Sequence, residues 1–216
     1  MLLEYRPPLT PYLQILYQDE AIIVLNKPSG LLSVPGKAPE HQDSLQLRVQ
    51  RVYPTARTVH RLDMATSGLL VMALTPDAQR SLNWQFERRQ TQKHYIALLE
   101  GQLKAQTGVV DLPLICDWPN RPRQMVCFQN GKSAQTLFEK LAVEGHATRV
   151  RLTPITGRSH QLRVHMQWLG HPICGDKFYG TAPDEKTERL QLHAAMLGLN
   201  HPNTGQWLQF QALAPF

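Results

Sequence analysis

At 216 residues, with 42% hydrophobic and 19% charged side chains, the chain is too apolar for a disordered polypeptide and too mixed for a fibre. Lys and Arg number 23 against 17 Asp and Glu, a net charge of +6 that tilts toward a polyanionic partner without naming one. No apolar run approaches the ~18 residues of a membrane span, and the opening MLLEYRPP breaks at once with charges and prolines. Neither a span nor a secretory signal is expected, and the expected compartment is the cytoplasm. Cys116, Cys127 and Cys174 are too few and too irregularly spaced for a disulfide framework and read as reduced thiols.

In chain order, Ala21 to Asn26 (AIIVLN) is a β-branched run closing on KPSG, which reads as a buried strand and a turn. A polar loop follows from Ser33 to Gln42. Asp43 stands in N-cap position before SLQLRVQRV, where Leu45, Val49 and Val52 recur at helical spacing and Pro54 supplies the stop. After HRLDMATSG comes the strand-like LLVMAL. Thr75 and Pro76 then open a helix with Ala78, Leu82 and Phe86 four apart. Tyr95 to Leu99, Ala134 to Leu141, Thr148 to Leu152, Leu192 to Leu199 and Trp207 to Phe210 read as strands. Ser159 to Leu169 reads as a helix with Leu162, Met166 and Leu169 on one side.

Strands outnumber helices and often follow one another through short turns. The predicted class is therefore α+β, a single domain with a mostly antiparallel mixed sheet flanked by helices and loops. No repeat, low-complexity tract or dividing linker interrupts the chain, and no heptads or exposed apolar stripe argue against a monomer.

Several chemistries are excluded by their motifs. Gly131-Lys132-Ser133 has the tail of a phosphate loop but Val126 stands where its first glycine belongs. There is no P-C-x-x-C for a zinc deaminase. His160 and His165 are five apart and not the four that places two ligands on one helical face, and no G-x-S-x-G elbow is present. No metal site is expected.

What remains is HRLDMATSGL from His60, with Asp63 between Arg61 and a Thr66-Ser67-Gly68 turn, and a later segment carrying Arg158, His160, Arg163 and His165. An Asp in such a setting is most often a turn cap or a surface ion pair. The wider pattern changes the weighting. KPSGLLSVPG (27 to 36), HRLDMATSGLL (60 to 70), KHYIA (93 to 97) and GRSHQLRVHMQWLGHPICGDKFYG (157 to 180), in that order and spacing, resemble the signature blocks of the RluA-type pseudouridine synthase family. DLPLICDWPNRPRQ (111 to 124) resembles its short members, which lack a separate N-terminal RNA-binding domain and act on both tRNA and 23S rRNA.

The resemblance implies a cofactor-free isomerase that flips a uridine out of structured RNA, detaches uracil from C1′ and rejoins it through C5. The expected partners are a tRNA anticodon stem-loop and a 23S rRNA hairpin. The reaction needs a carboxylate near the glycosidic bond, as nucleophile or as base, and the family assigns it to the Asp of H-R-L-D, here Asp63. A dry base pocket raises an Asp pKa, and a guanidinium offsets that effect; by resemblance it belongs to Arg163. Tyr95 of K-H-Y is implied as the aromatic that stacks on uracil and serves proton transfer at C5.

Arg61 is the family's candidate to fill the gap left by the flipped base. Leu162 is implied on the apolar side of the pocket. His60 and His160 are expected to shape the site, Lys27 to contact a phosphate from its turn, and Arg121, Arg123 and Arg158 to grip RNA. A non-catalytic RNA-binding module on the same fold is the alternative, and turnover separates the two. A hydrolase using Asp63 lacks an evident second carboxylate.

Overall fold

The computed structural model describes residues 5–181 and 189–216. Among them the strands are β1 (Ile15–Gln18), β2 (Ile22–Lys27), β3 (Arg57–Thr58), β4 (Ser67–Ala73), β5 (Gln92–Glu100), β6 (Thr107–Asp111), β7 (Leu114–Cys116), β8 (Gln124–Val126), β9 (Gln135–Glu144), β10 (Ala147–Pro154), β11 (Leu192–Asn200) and β12 (Trp207–Gln211). The α-helices are α1 (Leu45–Gln50), α2 (Pro76–Glu87) and α3 (Gln161–Trp168), and the class is α+β. No helix among the described residues is long and apolar enough to cross a membrane. The chain divides into two compact units. The first holds residues up to Lys93 together with His193–Pro215, and the second runs from His94 to Leu192 and takes in Phe216.

In the first unit, β2 lies antiparallel between β1 and β4, from Ile22 opposite Ala73 to Lys27 opposite Gly68. β4 continues into a parallel pairing with β11, β3 also joins β4, and β12 runs antiparallel on β11. Ile22, Val24, Leu69, Val71 and Ala73 pack with Leu197 and Leu199 of β11 and with Ala78 and Leu82 of α2. Ile23, Leu25, Leu70 and Met72 point the other way by strand alternation and are as deeply buried. Burial on both faces is why these strands read as unbroken apolar runs.

Helix α2 begins as the sequence predicts: Thr75 Oγ1 accepts the Ala78 N–H at 3.1 Å and Pro76 takes the first helical position. Its Gln85 exchanges two bonds with the backbone of Asn200 (2.8 and 2.9 Å), tying the helix to the end of β11. Helix α1 is capped one residue later than expected, with the Leu47 N–H donating to Ser44 Oγ. Asp43 is not the cap because both of its oxygens accept from the Arg48 guanidinium, at 2.8 and 2.6 Å.

In the second unit, β5, β10, β9 and β6 form consecutive antiparallel pairs, and β7 and β8 make a separate two-stranded ladder. Helix α3 is buried from Gln161 to Met166 and not on one stripe alone. Its polar members are therefore all partnered. Gln161 accepts from Thr156 Oγ1 (2.6 Å) and the Arg158 N–H, and donates to Gln135 O (2.9 Å) and Thr136 Oγ1. His165 Nε2 meets the Leu112 carbonyl at 3.1 Å and so carries the proton, which leaves Nδ1 to accept from the Thr136 hydroxyl. Burial lowers the pKa of this imidazole.

Gly68 marks where β4 meets β11. At φ +112°, its added Cβ would lie 2.4 Å from the Ala194 carbonyl oxygen. Gly68→Ala is expected to cost about 2–4 kcal/mol, because neither the backbone angle nor the adjacent backbone can yield cheaply. Urea unfolding checks this through a lower midpoint at unchanged slope; an unshifted midpoint would mean that the strands adapt freely.

Candidate active site

In the first unit, Asp63 sits in the loop between β3 and β4, half-buried, and opens a turn closed by the Thr66 N–H on its own carbonyl (3.1 Å). The loop is laced on both sides of Asp63 to the segment that follows β2. Ser33 Oγ donates to Leu62 O at 2.7 Å and accepts the Leu62 N–H at 3.1 Å. Ser29 Oγ donates to Ala65 O at 2.6 Å, and the Gly30 N–H donates to Met64 O at 2.9 Å.

Lys27 completes the lacing. Its side chain has no exposed area, and its ammonium donates to the carbonyls of Pro28 (2.9 Å), Leu31 (2.7 Å) and Met64 (3.0 Å). This corrects the expected phosphate contact: a buried cation is stable here because the protein's own carbonyls replace its water. Lysine's usual exposure hides such a role from sequence, although its place in KPSG, beside a strand end, was the available signal.

Arg61 is exposed and Leu62 buried on the same loop. His60 Nε2 accepts the Val71 N–H of β4 at 3.1 Å, and its ring stacks on Phe86 at 4.5 Å. Burial, then the neighbouring Lys93 charge, pushes its pKa down to about 3, so it is neutral at physiological pH. Burial and Arg89 lower the Lys93 pKa as well.

In the second unit, Tyr95 lies on β5 opposite Leu152 and is half-buried. Arg163, on α3, forks onto Asp176, with Nε to Oδ2 and Nη2 to Oδ1 both at 2.7 Å; the two side chains are 4% and 0% exposed. Asp176 Oδ1 also accepts the backbone N–H groups of Phe178 and Tyr179 (2.9 and 3.2 Å). The guanidinium lies over the rings of those two residues, 5.2 and 5.1 Å from their centroids. A planar fork satisfied in this way has a fixed direction, which a Lys would not. Sequence reasoning weighed the arginines, the histidines and Leu162 of this block and missed Asp176, although it stands within GDKFYG.

The same cluster takes in His160, whose Nδ1 is 2.7 Å from the Tyr179 hydroxyl and whose ring stacks on Phe178. That hydroxyl also accepts the Gln124 N–H at 2.7 Å, at the start of β8. Arg123 lies over the Tyr179 ring and Arg121 over the exposed Trp118 ring, at 5.5 and 4.6 Å. Leu162 is buried within α3. Arg158 is exposed, and its Nε donates to Ser133 O at 3.1 Å.

A family profile described as RNA pseudouridylate synthase matches residues 21–168. The chain is 56% identical to the dual-specificity RNA pseudouridine synthase RluA of Escherichia coli, with 98% of each chain covered. It is 54% identical to the protein of that name from Pasteurella multocida, covering 100% of this chain and 99% of that one. Among solved structures, human RNA pseudouridylate synthase domain containing 1 superposes with a TM-score of 0.82 at 29% identity, covering 98% of this chain and 87% of its own. Human RNA pseudouridylate synthase domain containing 4 gives 0.75 at 26%, covering 94% and 88%.

Two substitutions test the local roles. Lys27→Met is expected to lower kcat about tenfold or more with little change in KM if the Asp63 loop serves the reaction, because the loop loses its anchor at Met64; steady-state kinetics on a stem-loop RNA would restore the phosphate contact if KM rose instead. Asp176→Asn strands the buried Arg163 charge and is expected to cost about 3–5 kcal/mol in urea unfolding. A loss below about 1 kcal/mol, the range of exposed pairs, would remove Asp176 from that role.

Proposed function

Since the chain belongs to the RNA pseudouridylate synthase family and is an RNA-directed isomerase, we propose that Asp63, Tyr95 and Arg163 carry its reaction. Asp63 supplies the carboxylate that initiates cleavage of the C1′–N1 bond, as nucleophile or as base. Uracil then rotates, C1′ joins C5, the C5 hydrogen leaves as a proton, and N1 gains one. The atoms balance without an oxidant, a reductant or an energy source, so the chemistry asks nothing of a cofactor. Tyr95 supplies an aromatic face and a phenol for the proton leaving C5, and Arg163 supplies a guanidinium to pair with the carboxylate.

The observation that carries this reading is the placement of Asp63 in a turn fixed by bonds to Leu62, Met64 and Ala65, within two residues on either side. Bonds to the backbone on both sides of one residue fix where its side chain starts, which a reacting carboxylate requires. Arg61, exposed on the same loop, is proposed to occupy the place of the flipped base. Leu162 is proposed to line the uracil, with His60 and His160 shaping the site and Arg121, Arg123 and Arg158 gripping the RNA backbone.

The similar bacterial enzymes carry dual specificity in their names. We extend that to this chain as one uridine in a tRNA anticodon stem-loop and one in a 23S rRNA hairpin, acted on by a cytoplasmic monomer. Asp63→Asn and Asp63→Ala are expected to bind a stem-loop RNA while releasing tritium from C5-labelled uridine at least ~10³-fold more slowly, the scale of removing a group that acts in the transition state. Full activity in either variant would overturn the assignment.

A further inference from the structure

Beside the Asp63 loop the first unit holds a cavity of about 300 Å³ to which the proposed reaction assigns no role. Its walls are Tyr5, Leu32, Ala38, His41 and Met64, with Lys37 exposed at the rim. The cavity is built, not incidental. The Tyr5 hydroxyl donates to Asp43 O (2.7 Å) and accepts the Leu32 N–H (3.0 Å), which fixes the ring, and His41 packs edge-on to it at 5.7 Å. The segment from Gly36 to Gln42 closes on itself: the Gly36 N–H donates to His41 O at 2.8 Å, and Gln42 Nε2 donates to Gly36 O and Ala38 O. A Cβ on Gly36 would lie 2.6 Å from that of His41, so only glycine permits the closure.

We propose that this cavity is a second base-binding site, taking one unpaired nucleobase of the RNA substrate close in sequence to the target uridine. The inference rests on the reading of Asp63 as the reacting group. Met64, one wall, directly follows Asp63, so an occupant lies beside the loop that serves the target nucleotide. The volume suits a single planar ring system, near the lower bound of small-ligand pockets. The walls offer aromatic and apolar faces. With the Tyr5 hydroxyl already engaged in two bonds, that side chain presents only its ring, so recognition is by stacking and tolerates any base. Lys37 at the rim supplies the cation that a flanking phosphate requires.

The test uses stem-loop RNAs in which each loop nucleotide except the target is made abasic in turn, with equilibrium binding measured for the wild-type protein and Ala38→Trp, which fills the cavity. One abasic position is expected to weaken wild-type binding about tenfold, the scale of a lost base–aromatic stack. Ala38→Trp is expected to bind intact RNA as weakly and to be indifferent to that position. Wild-type-like binding by Ala38→Trp, or losses that add at every position, would overturn the proposal.

Photocrosslinking of wild-type protein to 5-iodouridine-substituted RNA needs no variant: crosslinks at Tyr5 or His41 are expected, and crosslinks confined to other residues would count against the site. Both readouts report binding. Absent tritium release by the wild-type protein would defeat the catalytic reading and this site with it, whereas an abasic scan without a sensitive position, with tritium release intact, would overturn this site alone.

Discussion

A lysine ammonium with no exposed surface holds three backbone carbonyls, one of which belongs to the residue after Asp63. Burying that charge is unfavourable unless each of its donors finds an oxygen, so the segment after β2 and the loop before β4 must fold together or neither is stable. Ser29 and Ser33 add direct bonds on either side of the same aspartate. β2 and β4, paired along six residues and buried on both faces, are the rigid base from which both segments spring. Asp63 is thus placed by a scaffold, and in the reaction proposed for it that is the condition under which positioning contributes to rate.

The second unit follows the same logic with different groups. Helix α3 buries Gln161, Arg163 and His165, and each is satisfied by specific partners: Thr136 and Thr156 around the glutamine and histidine, Asp176 around the arginine. Removing one member leaves another buried and unpaired, so the helix has little freedom to turn. Asp176 is further held by the Phe178 and Tyr179 amides, which also carry the rings beneath the guanidinium.

Much of this fold is legible in the sequence where burial writes an unbroken apolar run, as in β2 and β4, or where capping chemistry is local, as at Thr75 and Pro76. β1, β6, β7 and β8 were not legible. β1 is exposed along most of its length, β6 alternates with a glycine inside it, and β7 and β8 span three residues each, too short for a period to emerge. The Asp43 expectation failed because a nearby arginine competes for its oxygens, a contact that a local capping rule does not include. The blocks single out Asp63, Tyr95 and Arg163, the residues to which the reaction is proposed to belong. The burial of Lys27 and the pairing of Arg163 with Asp176 are three-dimensional facts: lysine and aspartate are usually exposed, and nothing in their spacing marks the exceptions.

In the proposed reaction one carboxylate, that of Asp63, is responsible for a change in cellular RNA. The most direct measurement is pseudouridine mapping at nucleotide resolution in cells that lack the protein and are complemented with either the wild-type chain or Asp63→Asn. The expected result is a small set of stem-loop uridines that become pseudouridine with the wild-type chain and stay uridine with the variant. An identical map in both strains would contradict it.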